Sequence, residues 1–191
     1  DETEPDEHLT WNLALSAHIE ARTYHKCYTA EARCGHPDPD RMQQLAERAL
    51  EWHDQALELR PERTDFLMHK LTLLKDMKED RKVIDLCEEI LRIDPSFFWP
   101  YAYMQEAYEH LQMGQEVVDT FYRAKRIFAG NSEIHVRAAR VFADYRQYED
   151  LLNVVQQAED ADVVSPELLT LKVRALCRLA DGKDQKKWAE A

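Results

Sequence analysis

A period of 34 residues constrains this 191-residue chain more than any other feature. Leu59-Arg60-Pro61-Glu62 and Ile93-Asp94-Pro95-Ser96 each close a helical pattern, one period apart. Sliding the chain by that period aligns five further columns without a gap. Small or medium apolar residues recur at Ala49, Val83, Val117 and Leu151, and again at Ala56, Ile90, Ala124 and Ala158. Between them lie His53, Cys87, Phe121 and Val155. Large residues recur at Leu67, Tyr101, His135 and Leu169 and, seven positions later, at Leu74, Tyr108, Phe142 and Leu176. Within each unit the apolar residues keep helical spacing, as in Leu67, Leu71 and Leu74, then Val83, Leu86, Cys87 and Ile90. Each unit therefore reads as a helix, a short turn and a second helix. One such pair cannot bury its apolar face alone, so pairs must stack.

Composition agrees with an all-α chain. Only four glycines and seven prolines are present, too few for the turns of a sandwich or barrel. Leu, Ala, Glu, Arg and Gln supply strong helix formers. The 37 acidic side chains outnumber the 25 Lys and Arg, for a net charge of −12. That balance argues against a nucleic-acid partner, whose backbone is held by Lys and Arg. No run approaches the roughly 18 consecutive apolar residues of a spanning helix, so no membrane insertion by this segment is expected. The compartment, cytoplasmic or periplasmic, stays open.

The most specific stretches are Ala49-x3-His53-x2-Ala56-Leu57-x-Leu59-x-Pro61, Tyr101-x6-Tyr108, and Phe142 followed by Tyr148 and Leu151. In them the chain resembles the tetratricopeptide repeat (TPR) family, over about three-quarters of its length. The resemblance implies a right-handed superhelix of stacked antiparallel helix pairs, a TPR-like alpha solenoid with an inner groove. There are departures from the family pattern. Gly114 falls two residues later than the usual interhelical glycine, Ala129 and Val163 replace the closing proline, and Lys70 and Lys172 stand where a large apolar residue is usual.

Helices are predicted near 8–34, 39–59, 64–77, 80–93, 98–112, 115–128, 132–145, 148–160 and 166–181, with another starting at 184. Ser132 with Glu133 and Ser165 with Pro166 supply start signals, and Gly130 a stop. The organisation expected is an acidic disordered tail at 1–7, a long divergent helix pair or cap at 8–61, three TPR-like repeats at 62–165 and a partial repeat at 166–191. Residue 1 is Asp, so the start is read as a cut, and the array is expected to continue past Ala191.

The eight histidines raise a metal hypothesis, with His18 and His25 seven apart and His25-x-Cys27 and Cys34-x-His36 nearby. Zinc sites are usually seeded by CxxC or HxxxH, and neither occurs. Solvated or packed histidines are the better account, with no metal and no cofactor. The four cysteines read as buried or half-buried thiols. No nucleophile motif, phosphate loop or paired-carboxylate arrangement stands out, so no catalytic residue is assigned and the chain is read as a non-enzyme.

Family ligands usually lie along the first helices of successive pairs. On those helices the residues outside the stacking columns include an aromatic cluster, Phe98, Trp99 and Tyr103, and the arginines Arg137, Arg140, Arg174 and Arg178. Aromatic and arginine side chains dominate binding hot spots. The candidate partner-binding set is therefore Trp99, Tyr103, Glu106, Arg137, Arg140, Arg174 and Arg178. A competing reading has the arginines paired with Glu133, Asp144 and Glu167. The family's clamp for a chaperone C-terminal carboxylate is not implied, because the matching positions hold Met68, Thr72, Tyr103, Glu133 and Arg137, of which only the last fits. The function expected is a protein–protein interaction scaffold holding a peptide or partner subunit. The alternative is an accessory domain of a larger membrane or envelope machine, such as a polysaccharide polymerase, secretion or pilus component, with its catalytic part elsewhere.

Overall fold

The computed structural model describes residues 7–189, with side chains over 7–180. The expected acidic tail, but for Glu7, lies outside the described residues. Among the described residues nine helices follow one another: α1 (Glu7–Ala32), α2 (Pro39–Leu59), α3 (Thr64–Asp76), α4 (Asp80–Ile93), α5 (Phe98–His110), α6 (Gly114–Phe128), α7 (Ser132–Asp144), α8 (Tyr148–Asp160) and α9 (Pro166–Ala189). No strand occurs among the described residues. The fold is the TPR-like one that the resemblance implies, built of antiparallel helix pairs.

The chain divides into two compact units after Pro95. In the first, α1 packs on α2 and α3, α2 on α3, and α3 on α4. The long opening pair meets through small residues. Ala14, Ala17 and Ala21 of α1 and Ala46, Ala49 and Ala56 of α2 are buried. Trp11, Trp52 and Phe66 close one end of this contact, and Tyr24, Met42 and Leu73 the other. Asp38 starts α2, accepting the Asp40 N–H at 3.0 Å and the Arg41 N–H at 3.3 Å, with Pro39 at the first helical position.

In the second unit, α5 packs on α6 and α7, α6 on α7, α7 on α8 and α9, and α8 on α9. Met104, Phe121, Ile134 and Leu151 fill its centre, with Ala124, Ala138, Ala139, Ala158 and Ala175 at the helix crossings. The two lysines that break the family pattern behave alike in their separate units. Lys70 meets Asp54 of α2 at 2.5 Å, and Lys172 meets Glu159 of α8 at 2.6 Å. Each long stem lies on the preceding second helix while its ammonium reaches a carboxylate.

The turn inside the α3–α4, α5–α6 and α7–α8 pairs repeats in backbone as well as in sequence. Lys78, Gln112 and Arg146, spaced by one period, have φ of 59°, 59° and 58°. Each lies in a Schellman motif. Glu79 N–H donates to the Leu74 carbonyl, Met113 N–H to Tyr108 and Gln147 N–H to Phe142, at 3.0, 2.9 and 2.8 Å. The left-handed position thus holds Gln112, while Gly114 opens α6 and serves a different purpose. The Tyr145 ring lies so close to Gly114 that an added Cβ would fall 2.5 Å from it.

Three expectations need correction. The start of α7 is capped by Asn131, whose side chain accepts the Glu133 N–H at 2.9 Å, and Ser132 is already helical. The last helix runs unbroken from Pro166 to Ala189 instead of stopping at 181. A lone glycine inside a helix costs about 1 kcal/mol relative to Ala, and Gly182 alone does not stop one. Finally, only Cys87 is buried, while Cys27, Cys34 and Cys177 are exposed. Cys87 lies in a stacking column, and burial raises its thiol pKa well above the ordinary value. The other three lie off the columns.

Candidate functional site

The partner-binding residues read from the sequence all fall in the second unit, on α5, α7 and α9. On α5, Trp99, Tyr103 and Glu106 are spaced by four and three residues and so share one stripe. Trp99 is 48% exposed, and its ring lies 5.9 Å from that of Tyr103. Phe98 anchors this end, packing edge-on against both Trp99 and Phe128 at 5.4 Å.

Arg137 of α7 is held in place by carboxylates. Its guanidinium lies 3.0 Å from Glu109, 3.0 Å from Glu133 and 3.8 Å from Glu106, and its side chain is 15% exposed. Glu133 is the neighbour one turn back on α7, and the two others come from α5, so the cluster ties α5 to α7. Glu109 has one oxygen bonded to Arg137 and the other buried without a partner. Burial raises its pKa, against the pull of Arg137 and Arg140.

One turn further along α7, Arg140 donates to Glu167 of α9 at 2.6 Å, with both side chains about half exposed. Arg174 and Arg178 of α9 are exposed. The seven residues therefore lie on three adjacent helices, joined by the Arg137–Glu106 and Arg140–Glu167 pairs. The competing pairing is present for Arg137 with Glu133 and for Arg140 with Glu167. Beside Arg140 a cleft of about 380 Å³ opens, lined by Glu109, Met113, Val117, Val141, Asp144 and Tyr145. That size suits a side chain or a small ligand. The tyrosine wall of this cleft could not be read from the periodicity, because Tyr145 ends a helix outside every column.

The first unit gathers histidines. His18 stacks on Phe66 with ring centroids 4.2 Å apart, and meets His69 at 4.8 Å and His53 at 5.9 Å. His53 is wholly buried and neither of its nitrogens has a hydrogen-bond partner, nor does Nδ1 of His18. Burial, with neighbouring basic groups adding to it, lowers the pKa of His18 to about 4 and of His53 to about 3. These imidazoles are packed and neutral. His69 and His25 are differently placed, bonding the Asp65 carbonyl and the Asp76 carboxylate at 2.7 Å each. His135, in the second unit, bonds the Ala129 carbonyl at 2.9 Å, and burial lowers its pKa too. Among the described residues, no group of three or more His, Cys, Asp or Glu side chains has the geometry to hold a metal ion. None of the described helices is long and apolar enough to cross a membrane.

No protein-family profile and no curated protein sequence matches the chain. Solved structures do. MamA from Desulfovibrio magneticus RS-1 superposes with a TM-score of 0.59 at 12% identity, covering 88% of this chain and 90% of that one. A second MamA structure gives 0.55 at 12% identity over 86% and 92%. MamA of AMB-1 gives 0.53 at 15% identity over 86% and 98%. At these identities the likeness establishes the shared fold of stacked helix pairs.

Proposed function

We propose that the chain is a non-catalytic protein-interaction module, and that the α5–α7–α9 face of its second unit holds a peptide or partner segment. One observation carries this reading. Trp99 is half exposed, its ring tilted against that of Tyr103, on a face where Arg137 and Arg140 are already held by ion pairs. A flat ring held in place loses little conformational freedom when it is covered, which is why Trp and Tyr serve as anchors. Arg137 with its three carboxylates forms a rigid floor, since a guanidinium so engaged has little left to offer a ligand. Arg140, Arg174 and Arg178 remain accessible to an acidic or carboxylate end of the partner. Arg140 would exchange Glu167 for the partner's carboxylate at small net cost, because exposed ion pairs contribute only about 0–1 kcal/mol.

The experiment is a selection of random-sequence peptides on the full chain, followed by binding to Trp99→Ala and Arg140→Glu, each checked first for unchanged helicity and melting. Loss of affinity of about tenfold or more in both variants is expected. Binding that survives both would place the interface elsewhere.

A further inference from the structure

The cleft where α5 and α7 end differs in chemistry from the arginine face beside it. Met113, Val117 and Val141 give it apolar walls, Tyr145 adds an aromatic one, and Glu109 and Asp144 set two carboxylates against one cation, Arg140. Arg140 is met on the α9 side by Glu167 at 2.6 Å, or by the partner's carboxylate in its place, so the cleft itself is short of positive charge.

Neither carboxylate is fully used. One oxygen of Glu109 accepts from Arg137 at 3.0 Å, and the other is buried with no partner among the described residues. Asp144 is exposed, and among the described residues its carboxylate has no ion-pair partner. A buried carboxylate oxygen without a donor is costly, and burial accordingly raises the Glu109 pKa. The backbone adds to the imbalance. Two helix C-termini, of α5 at His110 and α7 at Asp144, reach the cleft against one N-terminus, that of α6 at Gly114, and the C-terminal end of a helix dipole favours a cation. A side chain that enters must bring donors and positive charge on an apolar stem. A guanidinium forks onto two oxygens of one carboxylate, whereas Glu109 has only one left. A compact ammonium with three donors suits one oxygen from each of two carboxylates, and an aromatic wall attracts it further.

We infer that the cleft bounded by Glu109, Asp144 and Tyr145 is the pocket for a lysine side chain of the partner segment, which rests on the α5–α7–α9 face being the interface proposed above. The stem lies against Met113, Val117 and Val141, and the ammonium donates to the free oxygen of Glu109 and to Asp144. The place of the cleft also sets a spacing in the partner. Trp99 and Glu109 are ten residues apart on α5, about 15 Å along its axis. An extended peptide rises about 3.3 Å per residue, so the lysine lies about four or five residues from the residue that covers Trp99.

The test takes peptides selected on the full chain and replaces each lysine in turn by norleucine, which keeps the stem and removes the charge. One replacement should weaken binding about tenfold or more on the wild-type chain, and less than about threefold on Asp144→Lys, a change at an exposed position that sets a competing cation beside the cleft. The Gly114 amide and Tyr145 ring signals should shift with the lysine peptide and stay in place with its norleucine form. Arginine at the same position should bind about tenfold more weakly than lysine. Selected peptides without lysine, norleucine or arginine forms that bind as tightly, or a norleucine effect undiminished on Asp144→Lys would each overturn the lysine pocket. If Trp99→Ala still loses affinity in those cases, the face itself stands. Binding untouched by both Trp99→Ala and Arg140→Glu would overturn face and pocket together. Cadaverine that saturates the Gly114 and Tyr145 signals at a lower concentration than the peptide would also overturn the pocket, assigning the cleft to a free amine.

Discussion

Each unit buries polar groups where its helices meet, and the two do so with opposite chemistry. In the first unit, His18 and His53 are packed as neutral imidazoles, and three of their four nitrogens are buried with no partner. In the second, Arg137 is nearly buried as a cation and is met by Glu106, Glu109 and Glu133. A neutral ring can be buried at modest cost by staying unprotonated. A guanidinium cannot lose its proton, so it has to be surrounded by carboxylates. The difference means that the units answer differently to acid, and that the second unit has a stiff charged floor on which an exposed aromatic anchor can be mounted.

The largest expected effect is that of pH on the first unit. The folded pKa values of His18 and His53 lie below the unfolded value of 6.5, so their contribution to stability is complete above pH 6.5. As pH falls below that value, the unfolded chain takes up protons that the folded chain refuses, and stability is lost down toward pH 4 and 3. At pH 5 this amounts to roughly 2 kcal/mol for each ring, or about 4 kcal/mol together. Urea melts followed by hydrogen exchange at pH 7 and pH 5 should show α1–α3 losing more protection than α5–α8, where burial lowers the pKa of one imidazole, His135. His53→Leu should flatten the response, since the same column elsewhere holds Cys87, Phe121 and Val155 and no hydrogen bond is lost. Equal loss in both units would break the comparison.

Removing the cation of the second unit comes next. Arg137→Met leaves three carboxylates facing one another, one of them with a buried, unpartnered oxygen, and should cost about 2–3 kcal/mol at pH 7. The deficit should narrow as pH is lowered through the carboxylate range, because protonated glutamates no longer repel. A deficit independent of pH would show that Arg137 acts by packing alone. Ala124→Trp, at a wholly buried helix crossing of the same unit, should cost about 1–3 kcal/mol by overpacking and show no such pH dependence.

The smallest effect is a control common to both units. Lys78, Gln112 and Arg146 hold the same left-handed turn, a conformation that costs a residue with a Cβ about 1–2 kcal/mol. Part of that gain is offset by the extra freedom of glycine in the unfolded chain. Replacing each by Gly should therefore raise stability by about 0.5–1 kcal/mol, alike in the first unit and the second. A gain confined to one unit would mean that the turns are not equivalent.

The helices were legible because apolar side chains at a fixed period leave one packing solution, and the boundaries of α2, α4 and α8 match their sequence signals. His53 and His135 could be placed in the core for the same reason, since each occupies a stacking column. What the sequence hid depends on partners distant in the chain. For Arg137 the local signal, Glu133 one turn back, supplies one of its three carboxylates, while Glu106 and Glu109 of α5 are distant in the chain. The Asn131 cap was hidden because Asn131 and Ser132 are both good caps and adjacent. The exposure of Cys27, Cys34 and Cys177 follows from their lying off the columns, a signal that was present but outweighed by the general tendency of thiols to be buried.

The claim that the α5–α7–α9 face binds a partner is tested most directly by the indole N–H signals of the chain during titration with a peptide selected on it. Four tryptophans are present, Trp11 and Trp52 in the first unit, Trp99 on the face, and Trp188 near the end of α9. The expected result is a saturating shift of the Trp99 signal, abolished by Arg140→Glu, with Trp11 and Trp52 unmoved. A Trp99 signal that stays in place through saturation while Trp11 or Trp52 moves would contradict the account.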